Sequence, residues 1–108
     1  MTRLYVFQKQ AEADLREITR YTLKKWGAEQ ARAYTSKLGQ CIEALVKGTA
    51  PFKDLSELYP GLRMFLCQHH FIFCLPRTGA PALVVAILHE RMEIMERLKL
   101  RLTFGLLP

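Results

Sequence analysis

Leu83-Val84-Val85-Ala86-Ile87-Leu88 leaves no polar side for water. A strand turns successive side chains to opposite faces, so an unbroken apolar run belongs at the centre of a sheet covered on both sides. Two more stretches rich in Leu, Ile and Phe stand before it, Leu62 to Cys67 and His70 to Leu75. The Pro60-Gly61 turn precedes the first of them, and Pro76-Arg77-Thr78-Gly79-Ala80-Pro81 separates the last two strands. Leu4 to Phe7 reads as a further short strand at the start. The expectation is a small, mainly antiparallel sheet.

The cover for one face is legible upstream. Ala11 to Trp26 reads as a helix, with Leu15, Ile18, Thr22 and Trp26 at spacings of three and four. Glu12, Asp14 and Glu17 come early in it and Arg20, Lys24 and Lys25 late, an order that suits the helix dipole. Gly27 ends it. A second helix runs from Ala28 to Lys47, with a stripe of Ala31, Tyr34, Leu38, Cys41, Ile42 and Leu45, closed by Gly48 and Pro51. Two helices joined by a glycine pack as an antiparallel hairpin. Tyr21, Trp26 and Tyr34 follow the stripes and are expected in the core. Thr49 to Gly61 reads as a loop, and Met92 to Leu102 as a short C-terminal helix with Met95, Leu98 and Leu102 on one face. The hairpin covers one face of the sheet only. The other face needs the C-terminal segment, a second chain, or both. Thr103-Phe104-Gly105-Leu106-Leu107-Pro108 is apolar enough to dock there or to belong to an interface.

The chain has 108 residues, which suits a single α+β domain, residues 1–108, with a core burying about two thirds of the unfolded surface. Sixteen Lys and Arg against ten Asp and Glu give a net charge of +6, which favours an anionic partner, nucleic acid or acidic protein. No run approaches the roughly 18 apolar residues of a membrane span, and the N-terminus turns polar too soon for a signal-peptide core. Cys41, Cys67 and Cys74 are odd in number and form no CxxC pair. They read as small buried hydrophobes in a reducing, cytoplasmic compartment rather than as a disulfide framework. Cys67, His69, His70 and Cys74 match no common zinc spacing, and there is no phosphate loop, so no metal or cofactor is expected.

Taken in order, Ala13-Asp14-Leu15, Trp26-Gly27, Gly61-Leu62-Arg63, His70-Phe71-Ile72-Phe73 and Ile87-Leu88-His89-Glu90-Arg91 resemble the ParE toxins of the RelE/ParE superfamily. The resemblance spans Leu4 to Leu98. It implies a toxin of a type II toxin–antitoxin system that poisons DNA gyrase. It also implies a ParD-like antitoxin with an acidic tail, which silences the toxin and carries the complex to operator DNA. RelE relatives are instead ribosome-dependent mRNA endonucleases. A third possibility is a non-toxic relative that keeps antitoxin binding and acts in autoregulation.

Six residues follow as candidates for holding antitoxin or target: Arg63, His89, Arg91, Arg97, Lys99 and Arg101. Arg63 matches the arginine that contacts RNA phosphate in RelE-type nucleases, and here suits a carboxylate or a gyrase surface. His89 and Arg91 end the last strand, where a histidine is suited to proton transfer at neutral pH. Arg97, Lys99 and Arg101 lie between leucines in the tail, and engagement of gyrase or its DNA by this segment is the expectation. A nuclease set thins to Lys53, Arg63, His89, Glu90 and Arg91, with no tyrosine after Tyr59. That deficit favours a toxin that acts by contact, with no catalytic residue.

Overall fold

β1 (Tyr5–Phe7) lies parallel to the last strand, with Tyr5, Val6 and Phe7 beside Ala82, Leu83 and Val84. The computed structural model describes residues 4–105. Two helices follow, α1 (Lys9–Trp26) and α2 (Ala28–Lys47). Their junction is one residue, Gly27, at φ 94°, where a side chain would be strained. α2 ends on Gly48 in the left-handed region, whose amide and that of Thr49 return to the Leu45 and Ala44 carbonyls. β2 (Lys53–Asp54), β3 (Arg63–Cys67), β4 (His70–Arg77) and β5 (Ala80–His89) then complete a sheet of order β1-β5-β4-β3-β2. All its pairings except β1–β5 are antiparallel. α3 (Ile94–Gly105) closes the described chain.

The unbroken apolar run lies in β5, between β1 and β4, and both its faces are covered. Val84 and Ile87 join the cluster under the helical hairpin, with Ala11, Leu38, Ile42, Leu45, Ile72 and Cys74. Val85, Ala86 and Leu88 join a second cluster with Leu55, Leu62, Phe73, Leu75 and Leu98. Simple alternation would put Val85 and Ala86 on opposite faces. The register shifts between Phe73 and Cys74, which pair with Ala86 and Val84, so Val85 is an extra residue. That bulge turns two neighbours to the same side.

The second face is therefore closed by the chain itself, through the loop before β3 and through α3. Ile94, Leu98 and Leu102 pack inward from α3, whereas Met95, expected on that stripe, is exposed. A sheet left half-naked for a partner is not what the chain builds. The expectation for Leu106, Leu107 and Pro108 lies outside the described residues.

Two further expectations are overturned. Tyr21 and Trp26 are 59% and 62% exposed, not core. The buried stripe of α1 runs through Ala11, Leu15, Ile18 and Thr22; Trp26, one turn on, lines an open groove instead. The cysteines are not three isolated thiols: Cys41 and Cys67 are joined by a disulfide, and Cys74 alone is free and buried. The pair is separated by 26 residues, and it is the crossing of α2 over β3 that brings the two together. Among the described residues no helix is long and apolar enough to cross a membrane.

Candidate functional site

At the end of β5 the sheet gathers all three histidines of the chain. β3 and β4 are joined through Gln68 and His69, with Gln68 at φ 59°. β4 starts at His70 straight after this turn, and its pairing with β5 sets His70 directly across from His89. The His70 and His89 rings meet edge to face at 5.1 Å, and His69 stacks over His89 at 6.4 Å. Glu90 donates its amide to the His69 carbonyl at 2.8 Å, which locks the two strand ends together.

Tyr34 reaches this cluster from α2, its hydroxyl 2.6 Å from His70 Nδ1. The His69 amide donates to the same hydroxyl oxygen at 3.4 Å, and the His70 tautomer protonated at Nε2 would take the Tyr34 proton at Nδ1. Burial, and then the charges of His89 and His69, push His70 down to about 4, so its ring is neutral at physiological pH. Burial raises the Tyr34 phenol, which keeps it a donor. His69 pairs its ring with Glu90 at 2.9 Å, and that hydrogen bond holds the Glu90 carboxyl below its ordinary range. His89 Nδ1 accepts from the Arg91 amide at 3.1 Å.

A groove of about 590 Å³ opens beside the cluster. Glu17, Ile18, Tyr21 and Trp26 of α1 line it together with Tyr34, His70, His89, Arg91 and Met92. Lys25 lies over the Tyr21 and Trp26 rings, 5.5 and 5.4 Å from their centroids. The groove thus offers an indole, two phenols and imidazoles, of which the His70 ring is neutral, with Arg91 in its lining and Lys25 over the Tyr21 and Trp26 rings. This chemistry suits a peptide with an apolar or aromatic anchor and nearby carboxylates.

The six candidates do not converge. His89 and Arg91 alone line the groove. Arg63 donates to the Leu45 carbonyl at 3.1 Å and stacks on Phe52 at 4.3 Å. It caps the far end of α2, about 16 Å along the helix from Tyr34 at roughly 1.5 Å per residue. Arg101 turns inward. Its guanidinium grips both Asp14 oxygens at 2.8 and 3.2 Å and donates to the Val85 carbonyl at 3.0 Å. The other hydrogen bond to Asp14 comes from the Ile87 amide at 3.0 Å. Arg97 and Lys99 are exposed on α3, and Lys53 is exposed on β2. Among the described residues no group of three His, Cys, Asp or Glu side chains is placed to hold a metal ion.

Tyr34, His70 and Trp26 were not among the candidates. The paired His69-His70 and the tryptophan beside Lys24-Lys25 at a helix end are the traces they leave in the sequence.

Residues 5–94, which include the groove, match the family model described as the ParE toxin of type II toxin–antitoxin systems, parDE. Toxin ParE of Escherichia coli is 61% identical over 98 residues, which cover 91% of this chain and 95% of that protein. Toxin ParE1 of Mycobacterium tuberculosis is 29% identical over 94 residues, covering 87% and 96%. Toxin ParE1 of Caulobacter vibrioides is 29% identical over 89 residues, covering 82% and 91%. A solved structure described as a chromosomal ParDE TA system from P. aeruginosa shares the fold, with a TM-score of 0.63 at 17% identity over 82% of this chain and 96% of the other. With the family model matched along nearly the whole fold and a relative this similar over nine tenths of the chain, the protein belongs to the ParE toxins of type II toxin–antitoxin systems.

Proposed function

We propose that this toxin arrests growth by binding DNA gyrase through direct contact, and that a ParD-like antitoxin silences it by laying an acidic segment on its basic surface. The agreement with the ParE family over residues 5–94 carries this reading. The net charge of +6 supports an acidic partner. The groove at His89 and Arg91 is the surface whose chemistry fits such a segment. Arg97 and Lys99 are the exposed cations of α3 left for the target. The toxin–antitoxin complex meets operator DNA through the antitoxin, and the toxin works in the cytoplasm without a cofactor.

Contact rather than catalysis is supported by how the nuclease candidates are used. Arg63 is committed to a helix end, Glu90 to His69, and the His89 Nδ1 to a backbone amide. The test is induction of the chain alone in bacteria, followed within minutes by two assays. Trapped gyrase–DNA cleavage complexes with intact transcripts are expected, and co-expressed antitoxin should restore growth. Transcripts cut at ribosomes before any gyrase complex appears would establish the endonuclease instead. Unimpaired growth would leave the autoregulatory relative.

A further inference from the structure

We infer that Cys41 and Cys67 form a reversible thiol–disulfide site that staples α2 to β3. It is a modification site next to the groove, Cys67 being paired with His70 across the β3–β4 hairpin, but neither cysteine lines the groove, and the site does not depend on what the toxin binds. Cys67 ends β3 and is 2% exposed, whereas Cys41 on α2 is only partly buried, which makes it the less shielded residue of the pair. Their Cα atoms are 6.3 Å apart, within the span of roughly 4.4–6.8 Å that a disulfide bridges without moving backbone.

The packing that brings the sulfurs together does not need the bond. Cys67 sits in the cluster under the hairpin with Leu38, Ile42 and Ile72, and Cys41 packs against it. The reduced form also has a place for its polar hydrogen. Cys67 Sγ lies 3.8 Å from the Lys37 carbonyl, which accepts from the thiol once the bond is broken. Each oxidation state therefore fits the same fold. Cys74 stays outside the exchange: it is fully buried, and burial pushes its thiol up to about 11.

A low-molecular-weight disulfide of the glutathione type supplies the oxidant. The Cys41 thiolate attacks one of its sulfurs, and one reagent thiolate leaves. Cys67 then gives up its proton and attacks the Cys41 sulfur, and the second reagent thiolate leaves. Two protein thiols become one disulfide, and the reagent disulfide becomes two thiols, with two electrons passed to the reagent. A dithiol reverses both steps. The loop closed, with a separation of 26 residues, holds the end of α2, β2 and Arg63. Closing it restricts the unfolded chain far more than the folded one. Toxin made as a dithiol is thus hardened against unfolding and proteolysis when its surroundings turn oxidising.

The test equilibrates the purified full-length chain in buffers of defined glutathione redox ratio. Unfolding, alkylation and mass spectrometry then count free thiols. The expected result is three alkylated cysteines under reducing conditions and only Cys74 under oxidising ones, with a cross-linked peptide pair containing Cys41 and Cys67. Oxidation should raise Tm by more than about 5 °C, and Cys41→Ser should remove that dependence. Three free thiols after oxidation, a cross-link through Cys74, or equal Tm in both buffers would overturn the proposal. The wild-type chain carries the decisive readout, so a poorly folding variant does not weaken the test.

Discussion

Two neighbouring stretches of β5 treat charge in opposite ways. At Val85–Ile87 the strand has passed the end of β1, and its free backbone groups are taken by side chains: Arg101 binds the Val85 carbonyl and Asp14 the Ile87 amide. The two side chains then bind each other, at 14% and 17% exposure, so α1, β5 and α3 are clasped by one ion pair. Two residues on, His89 at the strand end and Arg91 just beyond it line an open groove. A basic residue is drawn inward where a buried carboxylate lies within reach, as Asp14 does for Arg101, and stays at an open surface where none does, as at Arg91. The fold, not the residue type, decides which.

Breaking the clasp should have the largest effect. Arg101→Ala leaves Asp14 half-buried and unpaired and should cost about 3 kcal/mol in denaturant unfolding, whereas Arg97→Ala and Lys99→Ala should stay within about 0.5 kcal/mol. Equal small losses for all three would erase the contrast. On the groove side, Trp26→Ala should weaken binding of the purified antitoxin by about 2 kcal/mol, roughly 30-fold by calorimetry. Its unfolding free energy should move by less than about 1 kcal/mol, since the ring is exposed. A large stability loss with unchanged affinity would return Trp26 to the core. Arg63→Ala removes a charge-assisted bond to the C-terminus of α2 and should cost about 1–2 kcal/mol without changing antitoxin affinity.

At neutral pH the smallest effect is that of His70, which shows only as a pH dependence of stability. His70 titrates near 6.5 when unfolded but is pushed down to about 4 when folded, chiefly by burial and then by His89 and His69, against the pull of Glu90 and Asp14. The unfolded chain therefore binds more protons between those values, and the contribution of His70 is fully present above pH about 6.5 and lost as pH falls toward 4. His70→Gln should flatten this part of the stability profile, measured by denaturant midpoints across that window. An unchanged slope would assign it elsewhere.

Much of the fold was legible because its elements carry strong local patterns. The second helix was bounded at Ala28 and Lys47, and the hairpin, three later strands and short final helix all appear. β2 was missed because Lys53-Asp54 is two polar residues whose strand geometry comes only from pairing with Met64 and Arg63. The site was less legible. His89 and Arg91 could be picked from their place at a strand end. Tyr34 could not, because its ring follows the apolar stripe of α2 while its hydroxyl serves His70. Arg101 could not be assigned inward, because its partner Asp14 is 87 residues away. Nor could the Cys41–Cys67 link be read from spacing.

The helix that ends the described chain roofs Phe73, Val85 and Leu88 and also supplies the arginine that grips Asp14. Cutting the protein after Met92 would strip both at once, so a harmless truncate would record collapse rather than a lost effector. Charge reversal confined to the outer positions of that helix, Arg97→Glu with Lys99→Glu, leaves the roof in place. Killing power measured on such a properly folded variant is what can credit, or acquit, the tail.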